Sequence, residues 1–181
     1  MVKNQILPNN VKGRELIDAL LEIKKELFVP NKDMDLVYSD SDILINSERN
    51  IIRTFVVAKM LDKCNFQKNN TILVIGCLTG YTLAIISRLV NYVFGIDNDR
   101  NLTQIANENI NNLNILNCSV FYKKNLSIGL EKSGPFDKIF IEGSVEKVPD
   151  NLLKQLKDNG EIFTVIKDKG DNSVGEFIRG L

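Results

Sequence analysis

The segment TILVIGCLTGY, at residues 71–81, carries the strongest indication of the fold. The continuous apolar run at 71–75 predicts a strand that is buried on both faces of a sheet. The small residues that follow, at 76–80, predict a loop that opens a helix. Such a loop presents backbone N–H groups at a helix N-terminus, where anionic or polar groups of a ligand are stabilised.

The alternation of strand and helix continues towards the C-terminus. Short apolar runs predict four further strands, at residues 92–97, 118–122, 136–142 and 161–166. The spacing of apolar residues between these runs predicts helices. The last helix is predicted to start at Pro149 and to include Leu156, and Asn159-Gly160 is predicted to turn the chain after it. This order indicates an α/β fold with a doubly wound, mostly parallel sheet.

Residues 1–70 show a different, helical pattern. Leu16, Leu20, Ile23 and Leu27 recur at helical spacing and predict an amphipathic helix that Pro30 stops. A second helix is predicted to end near Cys64, from the spacing of Ile52, Phe55, Val56 and Met60. We therefore expect one domain over residues 1–181, in which a helical segment (1–70) covers the carboxyl edge of a doubly wound core (71–181).

Composition excludes several classes of function. The 181 residues carry 23 basic and 23 acidic side chains, so the electrostatic footprint of a nucleic-acid or anionic-membrane binder is absent. The chain lacks a long apolar run, a signal-peptide pattern and cysteine spacing typical of zinc sites or disulfide frameworks. We expect a cytoplasmic protein with no nucleic-acid, membrane or metal partner. The absence of histidine also excludes Ser-His-Asp and Cys-His catalysis.

Asp97 points to a ligand that contains a ribose. It follows Gly76 by 21 residues, at the end of the second predicted core strand. An acidic residue there accepts hydrogen bonds from ribose hydroxyls. The alternative is that a strand–helix turn simply needs a glycine and a strand simply ends in Asp. The loop lacks the G-x-G-x-x-G of dinucleotide folds and looks more like the first motif of S-adenosylmethionine-dependent methyltransferases.

Motifs over nearly the whole chain resemble the protein-L-isoaspartate O-methyltransferase family. ELFVP at 26–30 resembles its prE-x-FVP segment, and Tyr38 with Asp40 resembles its aY-x-D turn. Residues 74–81 match in part the family's loop E-I-G-[ST]-G-[ST]-G-Y. Residues 134–139 match its aPfD-x-I motif, and residues 149–160 match its P-x-x-L-x-x-QLk-x-GG motif. The resemblance implies a Rossmann-like methyltransferase fold and S-adenosylmethionine as cofactor. It also implies protein repair by methylation of isoaspartyl carboxylates in damaged proteins or peptides.

The resemblance also implies where the ligands bind. The residues on the cofactor side are Gly76, Cys77, Thr79, Gly80, Tyr81, Asp97, Asn98, Asn125 and Leu126. The family's g-q-T-I-S-x-P substrate loop aligns with residues 47–54, which makes Asn50, Ile52 and Arg53 substrate-loop candidates. Glu142 and Ser144, after the fourth core strand, complete the substrate side. No residue is singled out as catalytic.

Three of these candidates also have a plainer interpretation. Cys77 lies where a helix N-terminus lowers a thiol pKa, yet it can simply replace a small Ser or Thr. Arg53 can bind a carboxylate bidentately, or it can be a solvated residue on a helix face. Glu142 either contacts a ligand or is an exposed, solvated residue at a strand end.

The sequence departs from the family pattern at the places where chemistry is expected. Val74 stands in place of the acid before the glycine loop, Leu78 in place of its middle glycine, and Ile52 in place of the substrate-loop serine. A side chain where the backbone needs positive φ costs about 1 kcal/mol or more. We therefore predict very weak or no methylation of an isoaspartyl peptide. A degenerate relative that keeps the fold for binding or structure, and a methyltransferase with an altered substrate, stay open as alternatives.

Overall fold

The computed structural model describes residues 1–39, 41–47, 49–167 and 175–180. Asp40 of the aY-x-D turn and Glu48 of the aligned substrate loop lie outside these residues. Within them, no helix is both long enough and apolar enough to span a membrane.

Five α-helices and eight strands organise the described chain, together with short 3-10 and π turns. The helices are α1 (Arg14–Glu22), α2 (Thr54–Cys64), α3 (Tyr81–Ser87), α4 (Arg100–Asn112) and α5 (Asp150–Leu153). Two short strands, β1 (Ile43–Leu44) and β2 (Asn50–Ile51), form an antiparallel hairpin. The strands of the main sheet are β3 (Thr71–Ile75), β4 (Tyr92–Asp97), β5 (Cys118–Tyr122), β6 (Phe136–Val145), β7 (Leu156–Lys167) and β8 (Gly175–Gly180).

The main sheet has the order β5-β4-β3-β6-β7-β8. β3 to β7 pair in parallel, which confirms the predicted doubly wound parallel core, and β8 adds an antiparallel edge. The chain moves outward from β3 to β5 and then returns to β6, so the strand order reverses between β3 and β6. Ligands of open α/β sheets bind outside the carboxyl ends of the strands at such a reversal.

The central strand is apolar because helices cover both faces of the sheet. Ile72, Leu73 and Val74 of β3 are fully buried. One apolar cluster joins residues of the N-terminal segment, such as Leu16, Leu20 and Phe28, to residues of the core. The N-terminal segment is thus packed on the core. That the chain forms one domain, with a boundary at residue 70 between this segment and the core, stays a prediction.

The first predicted helix is too long. α1 ends at Glu22, and Ile23 has extended backbone (φ −83°, ψ 107°). A 3-10 turn, Lys25–Phe28, follows and leaves Leu27 52% exposed. The break turns the chain so that Phe28, rather than Leu27, enters the core.

The helix after Pro149 is also shorter than predicted. α5 has only four residues, and Leu156 already belongs to β7. The side chain of Gln155 explains this end, since it accepts from Leu130 N at 2.8 Å and donates to Ile128 O at 2.7 Å. Its backbone oxygen accepts from Phe136 N at 2.8 Å, which draws the chain into the sheet. The expected turn at Asn159-Gly160 is an irregularity in the pairing of β6 with β7, with Asn159 at φ 62°.

Candidate functional site: a cleft at the carboxyl edge of the sheet

The loop between β3 and α3 is fixed to the end of β4. The backbone N–H groups of Gly76 and Cys77 donate to Ile96 O at 2.8 and 3.2 Å. Gly76 has φ 78°, and a Cβ built on it would lie 3.3 Å from Glu142 O and 3.5 Å from an Arg49 nitrogen. Glycine is therefore required here both by the backbone and by the close approach of neighbours.

Leu78 adopts positive φ in this loop, as expected for a residue in a glycine position. Its φ is 50°, and its side chain is only 4% exposed. It packs in an apolar cluster with five residues of the N-terminal segment and α4: Val29, Val37, Ile43, Ile51 and Leu102. Burial of a leucine side chain contributes about 2 kcal/mol, which offsets a backbone strain of about 1 kcal/mol. Leu78 thus attaches the N-terminal segment to the loop.

Asp97 lies beside this loop, as the sequence predicts, but it is fully buried. Its carboxylate accepts hydrogen bonds from Leu78 N at 2.8 Å and from Asp99 N at 3.0 Å. The Arg49 guanidinium donates to both of its oxygens, at 3.2 Å to Oδ1 and 2.9 Å to Oδ2. The carboxylate that would bind a ribose is therefore paired with an arginine of the aligned substrate loop.

A cleft of about 630 Å³ opens where the strand order reverses, at the ends of β3 and β6. Its wall brings together six of the residues named from the sequence: Asn50, Ile52, Gly76, Leu126, Glu142 and Ser144. Arg49, Asp42 and Leu78 also line it. Residues from the aligned substrate loop, from the loop after β3 and from the C-terminal part of β6, which extends past the predicted strand end and includes Glu142 and Ser144, thus meet in one cavity.

The other named residues do not line this cleft. Cys77, Thr79 and Tyr81 are buried beneath the loop, and Gly80 faces Ala106 of α4. Asn98 borders a smaller polar cavity together with Arg49. The two remaining candidates are held by local contacts: Asn125 accepts from Ser127 N at 3.0 Å, and Arg53 pairs with Asp42 at 3.1 Å.

The structure separates the two interpretations of Cys77. The thiol is buried, and burial, followed by the nearby carboxylates of Asp97 and Glu142, holds its pKa well above the ordinary value. A thiol in this state is not an activated nucleophile. Cys77 therefore fills space in the loop as a small residue.

Glu142 and Lys25 are two ionisable groups held in unfavourable surroundings near the cleft. Burial raises the pKa of Glu142 to about 7, with a further rise from Asp97, while Arg49 and Lys25 oppose it. Burial lowers the pKa of Lys25 to about 8 against the opposing effect of Asp42 and Glu142. Glu142 is therefore not a fully solvated strand-end residue, because one carboxyl oxygen is buried.

Three residues near the cleft were not predicted from the sequence: Arg49, Asp42 and Lys25. Arg49 lies inside the aligned substrate loop, at the family's q position. Its positive charge was the one feature of the sequence that could have marked it as a functional residue. Lys25 lies next to the ELFVP segment, where nothing local distinguishes it from the exposed Lys24. Pairings such as Arg49 with Asp97, which are 48 residues apart, leave no periodic trace in the sequence.

Comparison with known proteins identifies the family. A sequence model of the family described as Protein-L-isoaspartate(D-aspartate) O-methyltransferase matches residues 1–178. The chain belongs to this family. The predicted family, the methyltransferase class and S-adenosylmethionine as methyl donor are thereby confirmed.

Individual relatives agree with the family match. The protein-L-isoaspartate O-methyltransferase of Geobacter metallireducens is 30% identical over 171 residues, which are 94% of this chain and 79% of that protein. A solved protein-L-isoaspartate O-methyltransferase gives a TM-score of 0.80 at 25% identity; the match covers 92% of this chain but only 55% of that one. A Plasmodium falciparum protein solved with S-adenosyl-L-homocysteine gives a TM-score of 0.80 at 19% identity, covering 96% and 84%. These structures confirm the predicted Rossmann-like methyltransferase fold.

Proposed function

We propose that this protein transfers a methyl group from S-adenosylmethionine to the carboxylate of isoaspartyl residues in damaged proteins or peptides. One observation carries the proposal: a buried carboxylate, Asp97, accepts a hydrogen bond from the glycine-containing loop after β3, and Gly76 of that loop lines a cleft where the strand order reverses. The family match adds the reaction class.

The residues at the cleft fit the cofactor. Asp97 would accept the ribose hydroxyls, and Gly76 would allow close approach to the loop, because a side chain there meets neighbours at 3.3 Å. Leu126, on the 3-10 turn after β5, would contact the ligand from the adjacent strand end. When bound, S-adenosylmethionine supplies a methyl group that is already activated by the sulfonium charge.

The protein then has to orient the substrate rather than activate it. An isoaspartyl carboxylate is ionised at neutral pH, so no general base is needed and the absence of histidine is no obstacle. Alignment of the two reacting atoms is itself a large part of catalysis. Asn50, Ser144 and Arg49 are the polar groups of the cleft that would hold the substrate.

The location and partners follow from the same proposal. We place the protein in the cytoplasm, where aged proteins that contain isoaspartate would be its partners. The balanced charge of 23 basic and 23 acidic residues supports a protein that recognises a local chemical defect rather than nucleic acid or an anionic surface.

A methyl-transfer assay with matched peptides tests the proposal. Three peptides that differ only at one residue, isoaspartate, aspartate and isoasparagine, are incubated with labelled S-adenosylmethionine. We expect label in the isoaspartyl peptide alone, at the low rate that the departures from the family pattern predict, and loss of that label in Asp97→Ala, which should weaken cofactor binding by about 1–3 kcal/mol. Arg88→Gln, which removes the surface partner of Glu22, is the control and should behave as the native chain. Tight binding of S-adenosylhomocysteine without transfer to any peptide would contradict the enzymatic proposal and favour a binding protein.

A further inference from the structure

Arg49 connects the two halves of the proposed site. It lies in the turn of the β1–β2 hairpin, where its backbone N–H donates to Asn46 Oδ1 at 2.9 Å. Its guanidinium reaches both oxygens of Asp97 and also donates to Asn98 Oδ1 at 2.9 Å. The same side chain is 25% exposed and lines the large cleft. It therefore stands between the ribose acceptor and the space proposed for the substrate.

Of the contacts to Asp97, the arginine is the exchangeable one. The other hydrogen bonds come from the backbone N–H groups of Leu78 and Asp99, which are fixed by the loop and by the start of α4. Hydroxyl groups of a ribose need carboxylate lone pairs that Arg49 now uses. Binding of the cofactor at Asp97 consequently displaces the guanidinium.

The displaced guanidinium has one kind of partner left in the cleft. Among the described residues that line it, Arg49 carries the only positive charge, and the acidic groups are Asp42 and Glu142. Asp42 is already held by Arg53 and by Asn50 Nδ2. Glu142 is less accessible to the guanidinium, because one of its carboxyl oxygens is buried. A carboxylate brought in by the substrate is the ligand that a freed guanidinium binds best, in a bidentate pair.

We infer that Arg49 is a specificity-determining residue that exchanges between two carboxylates: Asp97 in the ligand-free protein, and the isoaspartyl carboxylate of the substrate once the cofactor occupies Asp97. This inference rests on the proposed function. Either ligand that arrives alone has to break the Arg49–Asp97 pair, whereas the second ligand finds the pair already broken. Since binding free energies are coupled reciprocally, each ligand then raises the affinity for the other.

Calorimetric titrations of an isoaspartyl peptide, with and without S-adenosylhomocysteine, test the inference. In the native chain and in the Arg88→Gln control we expect S-adenosylhomocysteine to raise the peptide affinity at least tenfold, within the usual range of coupling. In Arg49→Gln we expect S-adenosylhomocysteine to bind several-fold more tightly, because Asp97 is no longer occupied by a guanidinium. The peptide should bind weakly to this variant whether or not that ligand is present.

Two further measurements make the outcome decisive. Arg49→Lys keeps the charge but not the bidentate geometry, so it should retain part of the coupling between S-adenosylhomocysteine and the peptide that Arg49→Gln loses. Thermal unfolding, followed by circular dichroism, verifies that each variant is folded. An Arg49→Gln protein that retains the tenfold coupling, or binds S-adenosylhomocysteine more weakly, overturns the inference and leaves the proposed function intact. Failure of both the native chain and Arg49→Gln to bind S-adenosylhomocysteine overturns the inference together with the proposed function.

Discussion

The loop after β3 and the end of β6 face the same cleft but are built in opposite ways. At the loop after β3, Leu78 is buried in the N-terminal segment and Asp97 is paired with Arg49. At the end of β6, Gly143 has φ 130° and a Cβ there would meet nothing within 4 Å. The cofactor side is therefore packed by the chain itself, and the substrate side is open.

This contrast separates the effect of Leu78, a departure from the family pattern, from that of Glu142. Leu78 fills the space of a glycine and gives the N-terminal segment an apolar attachment. Glu142 instead places a carboxyl group with a raised pKa beside the open end of the cleft. Leu78 thus stabilises the folded chain, whereas Glu142 leaves an unfavourable group where a ligand would lie.

The largest expected effect is on turnover. Val74, Leu78 and Ile52 each replace a residue type of the family motifs, and about 1.4 kcal/mol for each would slow methyl transfer roughly a thousandfold. Because these positions are close, their effects need not add. A methyl-release assay against a relative with an intact glycine loop measures this, and Leu78→Gly with Ile52→Ser should recover part of the rate. Turnover equal to that relative's would show that the packed cofactor side is no obstacle.

The next effect is on stability at the packed side. Asp97→Ala removes a buried carboxylate and leaves the Arg49 guanidinium and two backbone N–H groups without their partner, so we expect a loss of about 3–4 kcal/mol in the free energy of unfolding. Urea denaturation measures it. The matched control is Glu22→Ala, which breaks the exposed pair with Arg88 and should cost less than about 1 kcal/mol. Equal losses in the free energy of unfolding of both variants would mean that the Asp97–Arg49 pair stabilises the chain no more than an exposed ion pair does.

The open side should show a pH dependence of stability. The carboxyl of Glu142 keeps its proton up to about pH 7 in the folded chain but releases it near 4.5 when unfolded. Unfolding then releases a proton in this window, so the free energy of unfolding falls as the pH rises from about 4.5 to 7, by up to about 3 kcal/mol.

Glu142→Gln removes this group and gives the measurement. The variant should be more stable than the native chain by about 2–3 kcal/mol at pH 8 and equally stable at pH 4. Glu131→Gln, at an exposed position before β6, should change stability by less than about 0.5 kcal/mol at both values. A difference that does not vary with pH would contradict the assignment.

The smallest effect is a comparison of two substitutions at Leu78. Leu78→Ala loses the buried side chain and keeps the strain of positive φ, whereas Leu78→Gly loses the same burial and relieves the strain. We expect the glycine variant to be more stable than the alanine variant by about 1 kcal/mol, the reverse of their usual order in regular structure. The usual order would show that the loop relaxes away from positive φ.

The core was predictable because its signals are local. β3, β4 and β5 were each predicted from an apolar run of the sequence. The β1–β2 hairpin was missed because strands of two residues are too short to show a period of two. β8 was missed as well, because GEFIRG at 175–180 has no continuous apolar run.

The site was predictable only in part, because some of its contacts join residues that are far apart in the sequence. The motifs placed Gly76, Asp97 and Glu142 at the carboxyl edge, where the structure also has them. Which side chain pairs with the Asp97 carboxylate depends on the fold of the β1–β2 hairpin. Arg49, the residue that pairs with it, lies on a segment with no regular sequence pattern. Long-range charge pairs of this kind are decided by tertiary packing.

A crystal structure of the native chain with S-adenosylhomocysteine tests the central claim most directly. We expect the ribose hydroxyls to lie within hydrogen-bond distance of the Asp97 carboxylate, and the Arg49 guanidinium to have left Asp97 for the cleft. A bound ligand that leaves the Arg49–Asp97 pair in place, with its ribose held elsewhere, would contradict it.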